Sequence, residues 1–239
     1  MALARRVVRL LSLVAALSAM AWGMAHAEGL RVAPTSLDIP APGATETLTL
    51  RNGGDAPIVV QARVFRWVQE GGSERYVPTR EVVVSPPMTQ LAPGATQTVR
   101  IIRTAKTRVN DEEAYRVFID EIPDRSRLRP GQVAFATRLR IPVFFTARGA
   151  TRADVRWSIR RQGGAAVLTA RNAGQSRLKL ADLRLLRNGR TVYRQDGLFG
   201  YVLGGSEMRW VLKQGVGGGR LELRAETNQG AIRTDVAGR

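Results

Sequence analysis

The chain has 239 residues, no cysteine, a single histidine and a formal net charge of +17. The histidine, His26, falls in the leader segment described next, so the rest of the chain has neither histidine nor cysteine. This composition excludes Ser-His-Asp and Cys-His catalysis and zinc or copper sites built from those ligands, and we expect no enzyme, no cofactor and no metal.

The first 27 residues have the three parts of a secretory signal peptide. Arg5, Arg6 and Arg9 form a basic start, residues 10–22 are apolar, and Ala25-His26-Ala27 is a small-x-small cleavage pattern. We predict export and cleavage near residue 27. No later stretch reaches the roughly 20 apolar residues of a membrane-spanning helix, so we expect no membrane insertion.

After the leader, period-two alternation and turns of Gly, Pro and Asn recur along the chain, as in antiparallel β-sandwiches. The first set of predicted strands covers residues 30–39, 46–51, 57–67, 81–84, 96–103, 114–122 and 132–145. A second, weaker set covers residues 155–160, 165–171, 178–186, 191–193, 207–212, 221–225 and 232–236. The prediction is an all-β chain of two tandem immunoglobulin-like β-sandwich domains, residues 28–148 and 149–239.

The predicted strand 132–145 is long, and its odd positions are almost all apolar, with Arg138 and Arg140 among the even ones. Because Pro142 has no amide to donate and arginine is seldom buried, we expect this strand to run partly along a sheet edge. An apolar edge suggests that the strand of a partner covers it. The alternative is that the odd residues fill the core of their own domain.

The positive charge by itself suggests acidic partners, since arginine and lysine attract polyanions. A secreted basic polyanion-binding β-sandwich module is therefore an alternative function, and its affinity would fall steeply with salt. The arginines are spread along the chain rather than clustered with aromatic residues, which disfavours nucleic acid as a partner.

Carboxylate catalysis is compatible with the composition but not with the spacing. The adjacent acidic pairs are Glu112 with Glu113 and Asp120 with Glu121. Neighbouring residues of a strand point to opposite faces, so neither pair can flank one glycosidic bond.

Short segments along nearly the whole exported chain resemble, in the same order, those of the periplasmic pilus-assembly chaperones of the PapD-like kind. They are VAPTSLDI (32–39), LRNG (50–53), VSPP (84–87), LAPG (91–94), AYRVFIDEIP (114–123), LRIPVF (139–144) and RNAG (171–174). Any one of these segments is weak, but the ordered set is specific.

The resemblance implies a periplasmic chaperone with two immunoglobulin-like domains set at an angle. Its partners would be pilus or fimbrial subunits, which are incomplete sandwiches, and an outer-membrane usher. In this family the chaperone lends a strand that completes the subunit by donor-strand complementation. Carried over by position, the donated side chains are Val133, Phe135, Thr137 and Leu139.

The chain departs from the family pattern at the site that binds the carboxylate at the subunit's C-terminus. Classical members use an arginine on the first strand and a lysine on the donor strand, but Ser36 and Pro142 stand at those positions here. Another arginine would have to supply the charge, since guanidinium pairs bidentately with carboxylate. The predicted candidates are Arg138, Arg140, Arg100 and Arg103.

A second departure concerns the Glu-Arg-Asp cluster that holds the two domains of classical members together. Glu112 matches the glutamate, whereas Thr146 and Asn228 occupy the other two positions, and Arg148 is the predicted substitute for the arginine. The donor strand and the short 124–131 loop resemble the archaic branch of the family, which is associated with spore-coat-U-like subunits.

Overall fold

The computed structural model describes residues 29–124, 136–162, 164–212, 216 and 220–238. The predicted signal peptide, residues 1–27, lies outside these ranges. Every regular element in the described part is a β-strand, which confirms the predicted all-β class. Within those ranges, no helix is long and apolar enough to cross a membrane.

Seventeen strands are described, ten of them before residue 147. The first ten are β1 Leu30–Ala33, β2 Leu37–Pro40, β3 Thr45–Asn52, β4 Ile58–Glu70, β5 Ser73–Pro78, β6 Val82–Ser85, β7 Met88–Leu91, β8 Thr96–Arg103, β9 Glu112–Ile122 and β10 Arg138–Thr146. The others are β11 Val155–Gln162, β12 Ala165–Asn172, β13 Leu178–Arg187, β14 Arg190–Val202, β15 Glu207–Leu212, β16 Leu221–Thr227 and β17 Ile232–Gly238.

The first ten strands form two sheets around one apolar core. One sheet has the order β1-β3-β8-β6, and the other has the order β2-β10-β9-β4-β5, with β7 paired to β4. The last seven strands follow the order β14-β13-β16-β17-β11-β12-β15 and enclose a second core. β3 shows this alternation directly, because Leu48 and Leu50 are fully buried while Thr47 and Thr49 are exposed. Burying each such leucine contributes about 1.5–3 kcal/mol.

The predicted single strand over residues 30–39 is wrong, because the structure divides it between the two sheets. β1 pairs with β3, and β2 pairs in parallel with the end of β10, from Leu37 beside Val143 to Pro40 beside Thr146. Between Arg138 and Pro142 only β9 pairs with β10 among the described residues. The change of sheet therefore leaves the other edge of that stretch without a neighbouring strand among the residues that the structure describes.

A buried asparagine closes a corner in each half of the chain. The Asn52 amide nitrogen lies 2.8 Å, 3.1 Å and 3.2 Å from the carbonyl oxygens of Ala56, Leu91 and Ala92, and its Oδ1 accepts a hydrogen bond from the Gly54 amide at 3.0 Å. These bonds tie the β3–β4 turn to the end of β7.

Asn172 makes the same set of bonds in the second half. Its amide nitrogen donates to the carbonyls of Ser176, Val202 and Leu203, at 2.9 Å, 3.2 Å and 3.2 Å. Its Oδ1 accepts from the Gly174 amide at 3.0 Å. Both asparagines are almost fully buried, so the RNGG and RNAG segments of the sequence mark equivalent corners of two related units.

Candidate functional site

β10 carries two different faces. On its inner face Ile141, Val143 and Phe145 are buried in the first core, while Leu139 is half-buried at the margin of that core. Thr137, just before the strand, is also half-buried. The inner face thus leaves the core toward the start of the strand. Val133 and Phe135, the other two predicted donor residues, lie outside the described residues.

The outer face of the same sheet is a row of arginines packed on aromatic rings. The guanidinium of Arg140 lies 5.3 Å from the ring centre of Phe118 and 5.7 Å from that of Tyr76. Arg138 lies 5.9 Å from Phe118, and Arg63 lies 5.7 Å from Phe65. Such contacts orient a cation without neutralising it.

Asp120 forms ion pairs with two of these arginines. Its Oδ2 accepts from Arg63 at 2.6 Å, and its Oδ1 accepts from Arg138 Nε. Burial favours the protonated acid, but the two guanidinium hydrogen bonds outweigh it and lower the pKa of Asp120 below its usual value. Arg138 is therefore already paired with a carboxylate of its own chain, whereas no carboxylate of the described residues forms an ion pair with Arg140.

The predicted proximity of the four arginines is wrong for Arg100 and Arg103. Both lie on β8, in the sheet opposite the one that contains β10. Arg103 binds Glu113 through two hydrogen bonds of 2.8 Å and 2.7 Å, and its side chain is 8% exposed. Arg100 pairs across the strands with Thr47 and Ser85. Neither can reach the edge of β10 to serve with Arg140.

The structure brings a different cation, Arg116, to this place. Arg116 on β9 is the cross-strand partner of Pro142, and its guanidinium stacks 3.7 Å from the Trp67 ring and 5.3 Å from that of Tyr201. The residue is 8% exposed, and Nε has no hydrogen-bond partner within the described part of the chain. Burial lowers the pKa of Arg116.

No carboxylate in the described ranges bonds Arg116 directly. Its Nη1 donates to the Arg140 carbonyl at 3.4 Å, and the nearby Glu74 is bonded to the Tyr76 hydroxyl at 2.6 Å. The arrangement is a desolvated guanidinium beside a second, exposed one, which is a site that favours an added carboxylate. The sequence signal was present, since Arg116 interrupts the apolar run AYRVFI.

The junction between the two halves is built around Glu112 and Arg177. Arg177 Nη1 and its backbone amide both donate to Glu112, the latter at 2.9 Å, and Arg177 Nη2 donates to Asp38. The Arg177 guanidinium also stacks 3.6 Å from the Phe144 ring. Arg177 was not among the predicted residues.

The predicted substitute, Arg148, is not in this cluster. It is exposed on the link after β10, where it lines a surface pocket with Gln175. Thr146 Oγ1 donates to Glu112 at 3.0 Å, and the Asn228 amide donates to the Arg177 carbonyl at 3.4 Å. The cluster therefore still consists of a glutamate, an arginine and an aspartate. The arginine, Arg177, and the aspartate, Asp38, come from positions that were not predicted.

The β4–β5 hairpin adds polar bonds across the same junction. The Gln69 amide donates to the Tyr201 carbonyl at 2.9 Å, and its oxygen accepts from the Leu203 amide at 2.8 Å. The Arg209 amide donates to the Gly72 carbonyl at 3.0 Å. Trp67, Phe144, Tyr201 and Leu203 are buried together beside these bonds. Arg116 and the end of β10 are thus packed against the second half of the chain.

Three solved structures illustrate what this chain is similar to. A chain of the CsuC–CsuE chaperone–tip adhesion subunit pre-assembly complex, from the archaic chaperone-usher Csu pili of Acinetobacter baumannii, matches with TM-score 0.70 and 23% identity over 88% of this chain and 99% of that one. The complex of the Salmonella enterica SafA pilin with the SafB chaperone matches with TM-score 0.61 and 20% identity, over 87% of this chain and 96% of that one. The E. coli chaperone DraB matches with TM-score 0.58 and 20% identity, over 89% of this chain and 97% of that one.

These TM-scores and coverages establish a shared fold across both halves of the chain. No curated protein sequence matches it. The sequence profile described as pili and flagellar-assembly chaperone, PapD N-terminal domain, matches residues 29–150, which is half of the chain and includes the open edge of β10. The chain therefore belongs to the PapD-like family of pili and flagellar-assembly chaperones.

Proposed function

We propose that this chain is a periplasmic chaperone that binds, stabilises and delivers pilus or fimbrial subunits by lending them a β-strand. The observation that carries the proposal is the edge of β10 from Arg138 to Pro142, which has β9 on one side only within the described residues. An exposed edge offers unpaired backbone groups, and a partner that lacks a strand needs both those groups and an apolar face. Family membership and the solved chaperone–subunit complexes of the same fold support it.

The donated side chains are Val133, Phe135, Thr137 and Leu139. Thr137 and Leu139 lie where the inner face of β10 leaves the protein's own core, so they are available to a second core. Side chains alternate along a strand, so the odd numbering of the four residues predicts that they share one side. The proposed action is non-covalent and includes no catalytic step.

The strand proposal predicts that Leu139→Arg and Thr137→Arg each lower capture of a subunit by at least about tenfold, because a charge would be buried in the subunit's groove. The measurement is the amount of soluble, co-purifying subunit in the periplasm when the chain is expressed with a candidate pilus subunit. Thr49→Arg is the matched control, since Thr49 is exposed on the opposite sheet. Normal capture by both edge variants would contradict strand donation.

We further propose that Arg116 and Arg140 together bind the carboxylate at the end of the subunit chain. Ser36 and Pro142 leave the classical positions without charge, and Arg116 is the register partner of Pro142. Arg140 is exposed and has no ion pair among described carboxylates, whereas Arg138 and Arg103 are already paired. The geometry thus supports Arg140 among the four predicted candidates and adds Arg116.

The anchor can be tested with peptides that copy a subunit's last strand, made as the free acid and as the C-terminal amide. The free acid is expected to bind about 10–100-fold more tightly, because a charged hydrogen bond is worth about 1.5–3 kcal/mol. In Arg140→Leu and Arg116→Lys the difference in affinity between the free acid and the amide should shrink or vanish. In Arg100→Leu the same difference should remain. An equal affinity of acid and amide for the unaltered chain would exclude a carboxylate anchor.

The rest of the proposal concerns where the protein acts. Residues 1–27 direct export to the periplasm, residues 28–148 and 149–239 form the two domains, and an outer-membrane usher receives the subunit. The archaic branch is supported by the 0.70 TM-score to a chain of the Csu complex. The polyanion-binding alternative is not favoured, since the family profile that matches the chain is that of a pili and flagellar-assembly chaperone.

A further inference from the structure

The first residues of β10 have little to hold them in place. Between Arg138 and Pro142 the strand pairs only with β9 in the described structure, and the residues buried in the core begin at Ile141. A strand with one neighbour and few buried contacts opens readily in the native state. Yet this stretch is where the partner strand is proposed to join.

One buried carboxylate spans the three strands at this point. Asp120 on β9 is the register partner of Arg138 on β10 and of Gln61 on β4. It accepts hydrogen bonds from Arg138 and, at 2.6 Å, from Arg63 on β4, and its own side chain is 7% exposed. The next residue, Glu121, donates its amide to the Thr137 carbonyl at 2.9 Å. Arg138, the first residue of β10, is therefore tied through Asp120 to both β9 and β4.

We propose that Asp120 is a positioning residue of the binding edge, which fastens the start of β10 to β9 and β4 so that Thr137 and Leu139 face the partner. The proposal rests on strand donation as the function. With Arg138 held on the outer face, the residues on either side of it must point inward, because side chains alternate along a strand. Without the Asp120–Arg138 contact, the start of β10 would separate from β9 and rotate more often. Its backbone groups and apolar face would then be in position to bind a partner for less of the time.

The test is hydrogen exchange of the free, full chain in Asp120→Asn, Arg138→Leu and the double variant. In Asp120→Asn we expect the segment 136–142 to exchange about tenfold faster relative to the rest of the first core. Arg138→Leu should have a similar effect, and the double variant should be no worse than Asp120→Asn, because the contact that Arg138→Leu removes is one that Asp120→Asn has already broken. Unchanged exchange in Asp120→Asn, or additive effects, would overturn the proposal.

Glu113→Gln is the control for a merely structural role. It breaks another partly buried ion pair of β9, but that pair reaches Arg103 on β8 rather than β10. It should lower global stability while leaving the exchange of 136–142 unchanged relative to the core. Equal acceleration of that segment in Glu113→Gln and Asp120→Asn would show only general destabilisation and reject a positioning role.

A second readout separates this inference from the proposed function. Subunit capture by Asp120→Asn should fall several-fold, yet less than in Leu139→Arg, because the donated side chains remain. If Leu139→Arg abolishes capture while Asp120→Asn leaves both capture and exchange unchanged, strand donation stands and the role of Asp120 fails. If Leu139→Arg captures the subunit normally while Asp120→Asn accelerates exchange of 136–142, strand donation is rejected, and the role of Asp120 in holding the start of β10 is retained.

Discussion

Asn52→Asp is expected to lower the free energy of unfolding by about 3 kcal/mol or more. The substitution keeps the size of the side chain but replaces a donating amide with a group that only accepts. Three carbonyl oxygens would then face a carboxylate in a site with no exposed surface. Chemical denaturation followed by fluorescence measures the loss, and Asn172→Asp should produce a similar one in the second half.

Asn110→Asp is the matched control for this prediction. Asn110 is exposed on the loop before β9, so the same chemical change should alter stability by no more than about 0.5 kcal/mol. A loss at Asn52 as small as that at Asn110 would mean that the buried corner does not stabilise the fold through its hydrogen bonds.

Arg177→Leu is expected to cost about 2–4 kcal/mol, since it leaves Glu112 buried without its ionic partner. The Glu112 side chain is 2% exposed and the Arg177 side chain 11% exposed, so water can replace little of the lost interaction. Asp38 would lose its partner as well, but it is largely exposed and contributes less. Denaturation measures the stability, and small-angle scattering of the variant should reveal a wider range of angles between the halves.

Arg233→Leu provides the comparison for Arg177→Leu. Arg233 binds Glu222 on the surface with its own side chain 70% exposed, and exposed pairs contribute about 0–1 kcal/mol. If both variants lost equally little stability and gave the same small-angle scattering, the Arg177 cluster would not hold the junction. Other contacts, such as those of Gln69, would then have to do so.

Alternation in the sequence was sufficient for the fold class because it depends on local geometry. In β3 and β8 the apolar residues recur at every second position and face one core, and the turns follow Gly, Pro and Asn. The ordered set of short segments, among them LRNG and RNAG, was sufficient for the family. The all-β class and the family could therefore be predicted without coordinates.

The pairing partners could not be predicted, because they depend on contacts between distant parts of the chain. Residues 30–39 read as one strand, yet β1 and β2 join different sheets. Arg116 was overlooked for a similar reason, since an arginine in an apolar run is recognised as a site only when Trp67 and Pro142 are placed beside it. Arg177 lies far along the chain from Glu112, and no local pattern links them.

The position of β2 limits the strand that a partner can add. β2 already occupies the edge of β10 from Val143 onward, so an added strand can pair only up to Pro142. Counted from Val133, the first proposed donor residue, that is about ten residues, or roughly 33 Å. A partner strand parallel to β10 would stop head-on against the start of β2, with its chain terminus beside Arg116. The same feature that exposes the edge therefore sets a length limit, and it favours partners whose final strand ends the polypeptide over those that continue beyond it.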